Sequence, residues 1–251
     1  MKGREQVVYS LNIPSKKILQ PKVEKVFFEK RMGLADLNKE DVIQYLKRNE
    51  IPYDESELHD DLVWDFENFF TMMDTSSEGI LTKVITTNKI ETLQEKAELA
   101  WFIHTLQLRN HITFSKTLDN FDLFGKPKFE MLLHMKWMLG DTNLMMKLLA
   151  PLLMATWTLY KTKEVRFPIC DNPILMHGRS NFLLPISPKL LLKVELNKPV
   201  NVTVAPVCHH KPLPYFFIYR DFIKRTIRNA KRDIIFPERE LLERLLKKYL
   251  N

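Results

Sequence analysis

The sequence predicts an α+β protein with a mainly helical N-terminal part, a small β-sheet in the region 165–218, and closing C-terminal helices. Three observations carry this reading. Apolar residues recur at helical spacing through 58–73 and 91–112, short β-rich runs broken by prolines fill 165–218, and helical spacing returns from Asp221 onward. No internal repeat, low-complexity tract or linker separates these parts. The expectation is a single α+β domain, helical over about 1–160, with the sheet and closing helices over about 161–251.

The first helical stripe is Leu58, Leu62, Val63, Phe66, Phe69, Phe70 and Met73, flanked by Asp65 and Glu67 and ended by Thr75-Ser76-Ser77-Glu78-Gly79. A second helix is expected from about Glu91 to Ile112. It sets Leu93, Ala97, Ala100, Trp101, His104, Leu108 and His111 near one face, with Gln107 at its border and Arg109 on a different face. The stretch Lys128 to Tyr160 is rich in Met, Leu and Trp, a composition suited to filling a core, and is interrupted by Gly140-Asp141-Thr142-Asn143. Beyond that break, Leu144 to Tyr160 reads as a helix or the approach to a strand, with Pro151 limiting where the helix starts. The β-rich runs are Ile174-Leu175-Met176, Phe182-Leu183-Leu184, Leu190 to Val194 and Val200 to Val204.

Composition removes several function classes. Glycine occurs only six times, and neither a G-x-G-x-x-G nor a Walker A pattern is present, which disfavours a Gly-rich phosphate loop. The two cysteines, Cys170 and Cys208, are too few for a disulfide framework and too far apart for a C-x-x-C motif. A reducing cytoplasm is the expected location. No apolar run approaches a membrane span. The net charge of +7 is concentrated near the end, where residues 220–251 hold ten Lys or Arg against five Asp or Glu. Lys224, Arg225, Arg228, Lys231 and Arg232, with Arg220, recur at spacings that stack several on one helical face, a pattern that fits a phosphate backbone. A solvated surface with Asp221, Asp233 and Glu238 as local partners would give the same pattern.

The chemistry-bearing candidates are isolated carboxylates, amides and cations. No H-E-x-x-H, G-x-S-x-G or zinc-deaminase pattern occurs, and the histidines lack metal-ligand spacing, so neither a metal nor another cofactor is expected. The stretch Cys170-Asp171-Asn172-Pro173 delivers an Asp-Asn pair from an apolar run into a proline, a place where a scaffold presents polar groups. Asp171 is the candidate base or electrostatic stabiliser, Asn172 a base-edge reader, and Glu67 a second carboxylate. Arg109 is a candidate anion contact, and Arg179, in the turn His177-Gly178-Arg179, a phosphate contact. An Asx-type turn at Asp171 and a buried Glu-Arg pair are the structural alternatives.

The run Glu98 to Arg109 (ELAWFIHTLQLR), Cys170-Asp171-Asn172-Pro173, Leu184-Pro185-Ile186-Ser187-Pro188 and Thr226 to Arg232 (TIRNAKR) resemble, in order and spacing, a bacterial family catalogued as domain of unknown function 4238. The resemblance runs from about Asp60 to Phe236. It departs at the start, where this chain lacks a His-Tyr-aliphatic-Pro opening. It implies a shared architecture and marks Gln107, Arg109, Asp171 and Asn172 as motif positions; it implies no reaction. Gln107, Arg109, His104 and Arg179 are the substrate-binding candidates.

Together these readings give an expectation of a nucleic-acid-acting, metal-independent hydrolase that cleaves an N-glycosidic bond. Such a bond breaks through an oxocarbenium-like transition state, which a carboxylate stabilises without a metal. DNA is the expected partner, Trp64, Trp101 and Tyr215 are candidates for stacking an extruded base, and a host-sparing role against foreign or modified DNA follows as antiviral defence. A non-catalytic nucleic-acid-binding or regulatory protein is the alternative, and a metal-dependent nuclease a more remote one.

Overall fold

The computed structural model describes residues 9–20, 34–48, 50–57, 61–109, 142–164, 167–176, 180–199, 207–213, 217–230 and 233–250. The expected Met-rich run 128–139, the strand Val200–Val204, and Tyr215, Arg179, Lys231 and Arg232 lie outside these residues. The elements are β1 (Tyr9–Asn12), β2 (Lys17–Leu19), β3 (Leu34–Asn38), α1 (Lys39–Arg48), β4 (Asp61–Asp65), α2 (Phe66–Thr87), α3 (Leu93–Arg109) and α4 (Thr142–Met154). There follow β5 (Ala155–Lys161), β6 (Ile169–Cys170), β7 (Leu175–Met176), β8 (Asn181–Ser187), β9 (Leu190–Pro199), β10 (His209–Pro212), α5 (Phe217–Asn229), β11 (Asp233–Phe236) and α6 (Arg239–Tyr249). The fold is α+β.

The chain divides into two compact units. One comprises Met1–Phe28, Ser77–Asn110 and Leu149–Asn251; the other comprises Glu29–Ser76 and His111–Leu148. The boundaries at 76 and 148 fall inside α2 and α4, which is why no linker composition marks them. In the second unit β3 pairs antiparallel with β4, Leu37 opposite Leu62 and Ala35 opposite Trp64. Residues 61–65, expected as the opening of a helix, are therefore a strand. Five residues are short enough to satisfy either period, and cross-strand pairing decides between them. The helix starts at Phe66 and runs through Gly79, the expected stop. Space beside Gly79 is open, and the buried Ile80 and Val84 carry the apolar stripe onward, which outweighs the roughly 1 kcal/mol a helical glycine costs.

In the first unit a five-stranded sheet has the order β10-β5-β9-β8-β7, with β10 parallel to β5 and the other pairs antiparallel. Both faces are covered. Trp157, Leu159, Leu192, Val194 and Phe182 meet Ile80, Val84, Leu99, Ala100 and Ile103 on one side. Tyr160, Leu191, Leu183 and Leu175 join Leu11, Phe222, Ile223, Ile234 and Leu242 on the other. Double coverage explains why β9 begins as an unbroken leucine run. A second sheet, β2-β1-β11-β6, is antiparallel throughout and takes its central strands from near the two ends of the chain. Strands thus extend well outside 165–218, and β11 interrupts what reads locally as a pair of closing helices. Asp233-Ile-Ile-Phe is four residues long, and its strand identity comes from β1 and β6 on its two edges.

Helix α4 passes directly into β5, so its last carbonyls need outside donors. Trp157 Nε1–H donates to the Leu152 carbonyl at 2.8 Å, and the Lys96 ammonium to the Ala155 carbonyl at 2.9 Å. Pro151 sits inside this helix near its C-terminal end. Lys96 is 1% exposed, lies 5.4 Å from the Trp157 ring centroid, and has its pKa pushed down by burial. At the start of α3, Thr92 and Glu95 form a reciprocal capping box. Glu95 N–H donates to Thr92 Oγ1 at 3.2 Å, while Glu95 Oε2 accepts from the backbone of Glu91 at 2.7 Å and of Thr92 at 3.1 Å. The Lys83 ammonium, with these N–H groups, holds the Glu95 carboxyl at about 2.

His210 on β10 accepts the Ile90 N–H through Nε2 at 3.0 Å, tying the α2–α3 turn to the sheet. Partial burial moves its pKa below the ordinary 6.5; Glu91 opposes this shift, while Lys89 and His209 add to it. A depressed histidine pKa means the folded state holds the neutral ring, so this stabilisation is complete above pH 6.5 and is lost as pH falls through the folded value. Glu95 has the same sign at lower pH, with its contribution complete above 4.5 and lost on the way towards 2. The expected thermal midpoint therefore falls in two acid steps. His210→Gln should shrink the first and Glu95→Gln the second, read by melting curves from pH 8 to pH 3, a range that spans roughly both ordinary values; identical pH profiles for variant and parent would refute the assignment.

Candidate functional site

The Asp-Asn-Pro turn lies at the edge of the four-stranded sheet, between β6 and β7. Cys170 pairs with Ile234, and one step further the Asp171 N–H donates to the Asp233 carbonyl at 3.3 Å. Asp233 pairs with Asn12, which pairs with Lys17, so a polar row of Lys17, Asn12, Asp233 and Asp171 crosses one end of this sheet. Asp233 Oδ1 accepts from Ser10 Oγ at 2.9 Å and from Asn12 Nδ2 at 3.3 Å. Alternation separates the faces. Leu11, Ile234 and Phe236 join α6 residues Leu241, Leu242 and Leu245 in a core, which leaves Ser10, Asn12 and Asp233 on the other side. The turn is braced internally as well, with the Cys170 thiol donating to the Asn172 carbonyl at 3.0 Å.

Helix α5 packs against β6 and β7, and its residues sort into three rows. Phe222, Ile223 and Thr226 are buried, with Phe222 edge-on to Phe167 at 5.2 Å. A second row fastens the helix to the segment after Asp-Asn-Pro. Arg225 Nε meets Asp221 Oδ2 at 2.6 Å, Arg225 Nη1 donates to the Met176 carbonyl, and Asn229 Nδ2 donates to the Ile174 carbonyl at 3.4 Å. The third row is Arg220, Lys224 and Arg228, all exposed and in no ion pair among the described residues. Arg225, expected to contact phosphate, is half-buried with its guanidinium engaged by Asp221 and the Met176 carbonyl, because position 225 lies one row round the helix from the solvent-facing cations.

The other candidates fall elsewhere. His104 and Gln107 are half-buried on α3, whose Leu99, Ala100 and Ile103 pack on the opposite face of the five-stranded sheet from α5. Their helix therefore covers the other face of that sheet from α5. His104 stands 6.3 Å from Trp101, its Nε2 is buried without a partner, and burial pushes its pKa down. Glu67 lies in α2 within the second unit and Arg109 closes α3 in the first; their side chains, like that of Trp64, lie outside the described part. Both cysteines are buried thiols, pushed up to about 12 chiefly by burial, and so are poor nucleophiles. Among the described residues no three His, Cys, Asp or Glu side chains converge on a metal position. Nor is any helix long and apolar enough to cross a membrane.

No family model, curated protein or solved structure matches the chain. The geometry of the site accordingly carries the functional argument. Asp233 is the residue that sequence reading treated only as a charge partner for the basic helix. Its hydrogen-bond partner Ser10 is 223 positions away, and no local signal announces such a contact. A weaker signal was present in β9. Lys193 and Glu195 alternate with Leu192 and Val194, and the two charges form a 3.0 Å ion pair on the sheet face that also carries Leu191. Asn181 stands opposite Glu195 with its Oδ1 buried and unpartnered.

Proposed function

We propose that the protein binds nucleic acid along α5 and hydrolyses an N-glycosidic bond at the Asp171 turn, as a DNA glycosylase-like enzyme acting on foreign or modified DNA. The observation that carries this reading is the clamp between the two. Arg225 and Asn229 tie the helix bearing the free cations to the strand segment that follows Asp171. A backbone held on the exposed row is thus held by a helix fastened to the segment that follows the carboxylate. Asp171 stabilises the positive charge that develops at the sugar carbon, and Asp233 places a second carboxylate on the adjoining strand for orienting water.

The purified protein, offered natural DNA, phage-type modified DNA and RNA, is expected to release free base and leave abasic sites. These appear as strand breaks only after alkali or an abasic-site endonuclease. Direct strand cleavage would refute the glycosidic step. Binding without any product would favour a non-catalytic nucleic-acid-binding protein, a reading that draws support from the internal bracing of the turn by the Cys170 thiol and Asn229.

A further inference from the structure

We infer that Arg220, Lys224 and Arg228 form a track for three successive phosphates of one nucleic-acid strand, and that Arg225 is not part of it. The inference rests on the nucleic-acid reading above and names the part of the ligand that α5 takes.

The three residues are spaced by four, so each step rises about 6 Å along the helix and the row spans about 12 Å. That step is of the order of the separation between neighbouring phosphates on one strand. All three are exposed, and none forms an ion pair among the described residues. Asp221, the acidic residue of the helix that would compete with a phosphate, is occupied by Arg225 Nε at 2.6 Å. Arg225 therefore has two consequences for the row: it neutralises the nearest carboxylate on the helix, and it anchors the helix to the Met176 carbonyl so that the row keeps its direction. The cations need no rearrangement to meet a phosphate. Two other surface cations differ in this respect. Lys89 is paired with Glu91 at 3.0 Å, and Arg239 with Glu243 at 2.8 Å.

The partner is a strand with regularly spaced phosphates, which both duplex and single-stranded nucleic acid supply. Counterion release separates them, since each neutralised phosphate adds about 0.9 to the salt slope on duplex DNA and about 0.7 on a single strand. Binding of the full chain to a duplex and to a single strand of the same sequence is measured across a salt series. The triple variant Arg220→Ala, Lys224→Ala, Arg228→Ala is compared with a variant of equal charge loss, Lys89→Ala, Lys147→Ala, Lys163→Ala. Because all six side chains are exposed, both variants should fold, which a melting curve checks. The row variant is expected to lose about 2.7 units of slope on duplex or about 2 on single strand, with affinity down on the order of 10²-fold near 0.1 M salt. The scattered variant should keep the parent slope. Parent binding with equal slope changes in the two variants would overturn the track while leaving nucleic-acid binding in place. A parent that binds neither form would overturn both readings.

Discussion

Asp171→Asn is expected to lower N-glycosidic turnover by about two orders of magnitude or more, with DNA affinity nearly unchanged. The substitution keeps size and shape and removes only the charge that the proposed mechanism sets against the developing cation. The backbone bond from Asp171 to the Asp233 carbonyl, 3.3 Å long, does not involve the side chain and should survive. Loss in kcat without loss in binding marks a group acting in the transition state rather than in ground-state recognition. Asp233→Asn is the companion variant, since its side-chain oxygen can still accept from Ser10. If Asp233→Asn carried the large loss and Asp171→Asn were fully active, the roles assigned to the two carboxylates would be overturned. Loss of affinity in Asp171→Asn would instead mark the turn as part of the binding surface.

Trp157→Ala is expected to destabilise the fold by about 3–5 kcal/mol, a large share of the roughly 5–15 kcal/mol that holds a domain together. Trp157 is 1% exposed at the centre of the core between α3 and the five-stranded sheet, and a cavity left there has little freedom to close. The same side chain has a polar role. Its indole N–H reaches the Leu152 carbonyl at the helix-to-strand junction, so Trp157→Phe keeps most of the packing and leaves that carbonyl without its donor. About 1–3 kcal/mol is expected for that variant. Denaturant midpoints read both values; a Trp157→Phe midpoint equal to the parent's would show that the indole bond contributes nothing to stability. Lys96→Met is informative beside them, because it keeps a long apolar stem over the ring while removing the donor to Ala155.

Helical periods long enough to average over several turns were legible. The cation spacing of α5 follows from residues within a turn or two of one another, and α3 was legible as a helix, although the face it buries holds Leu99, Ala100 and Ile103 and leaves Leu93 of the expected face exposed. Short segments were not. Asp61–Asp65 and Asp233–Phe236 are strands because a partner supplies the ladder, and without the partner four or five residues satisfy either period. The site divides in the same way. The Asp-Asn-Pro turn was visible because proline and the Asx residues punctuate the chain locally. Asp233 was invisible as its companion because the contact is made across sheet pairing.

The sequence by itself determined the α+β class, the β-rich character of the block after residue 165, and the repeat of cations from Arg220. Each of these depends on interactions among near neighbours, which the order of residues states directly. Only the tertiary structure decided that Tyr9–Asn12 and Asp233–Phe236 lie side by side, that α3 and α5 cover opposite faces of one sheet, and that Arg220, Lys224 and Arg228 are exposed while the Arg225 guanidinium is held by Asp221 and the Met176 carbonyl. The reason is that burial acts on whole faces. Which side of α5 turns inward was set when Phe222 and Ile223 entered the core shared with Leu11 and Ile234, and that choice rotated one row of cations outward and the next against the Met176 carbonyl.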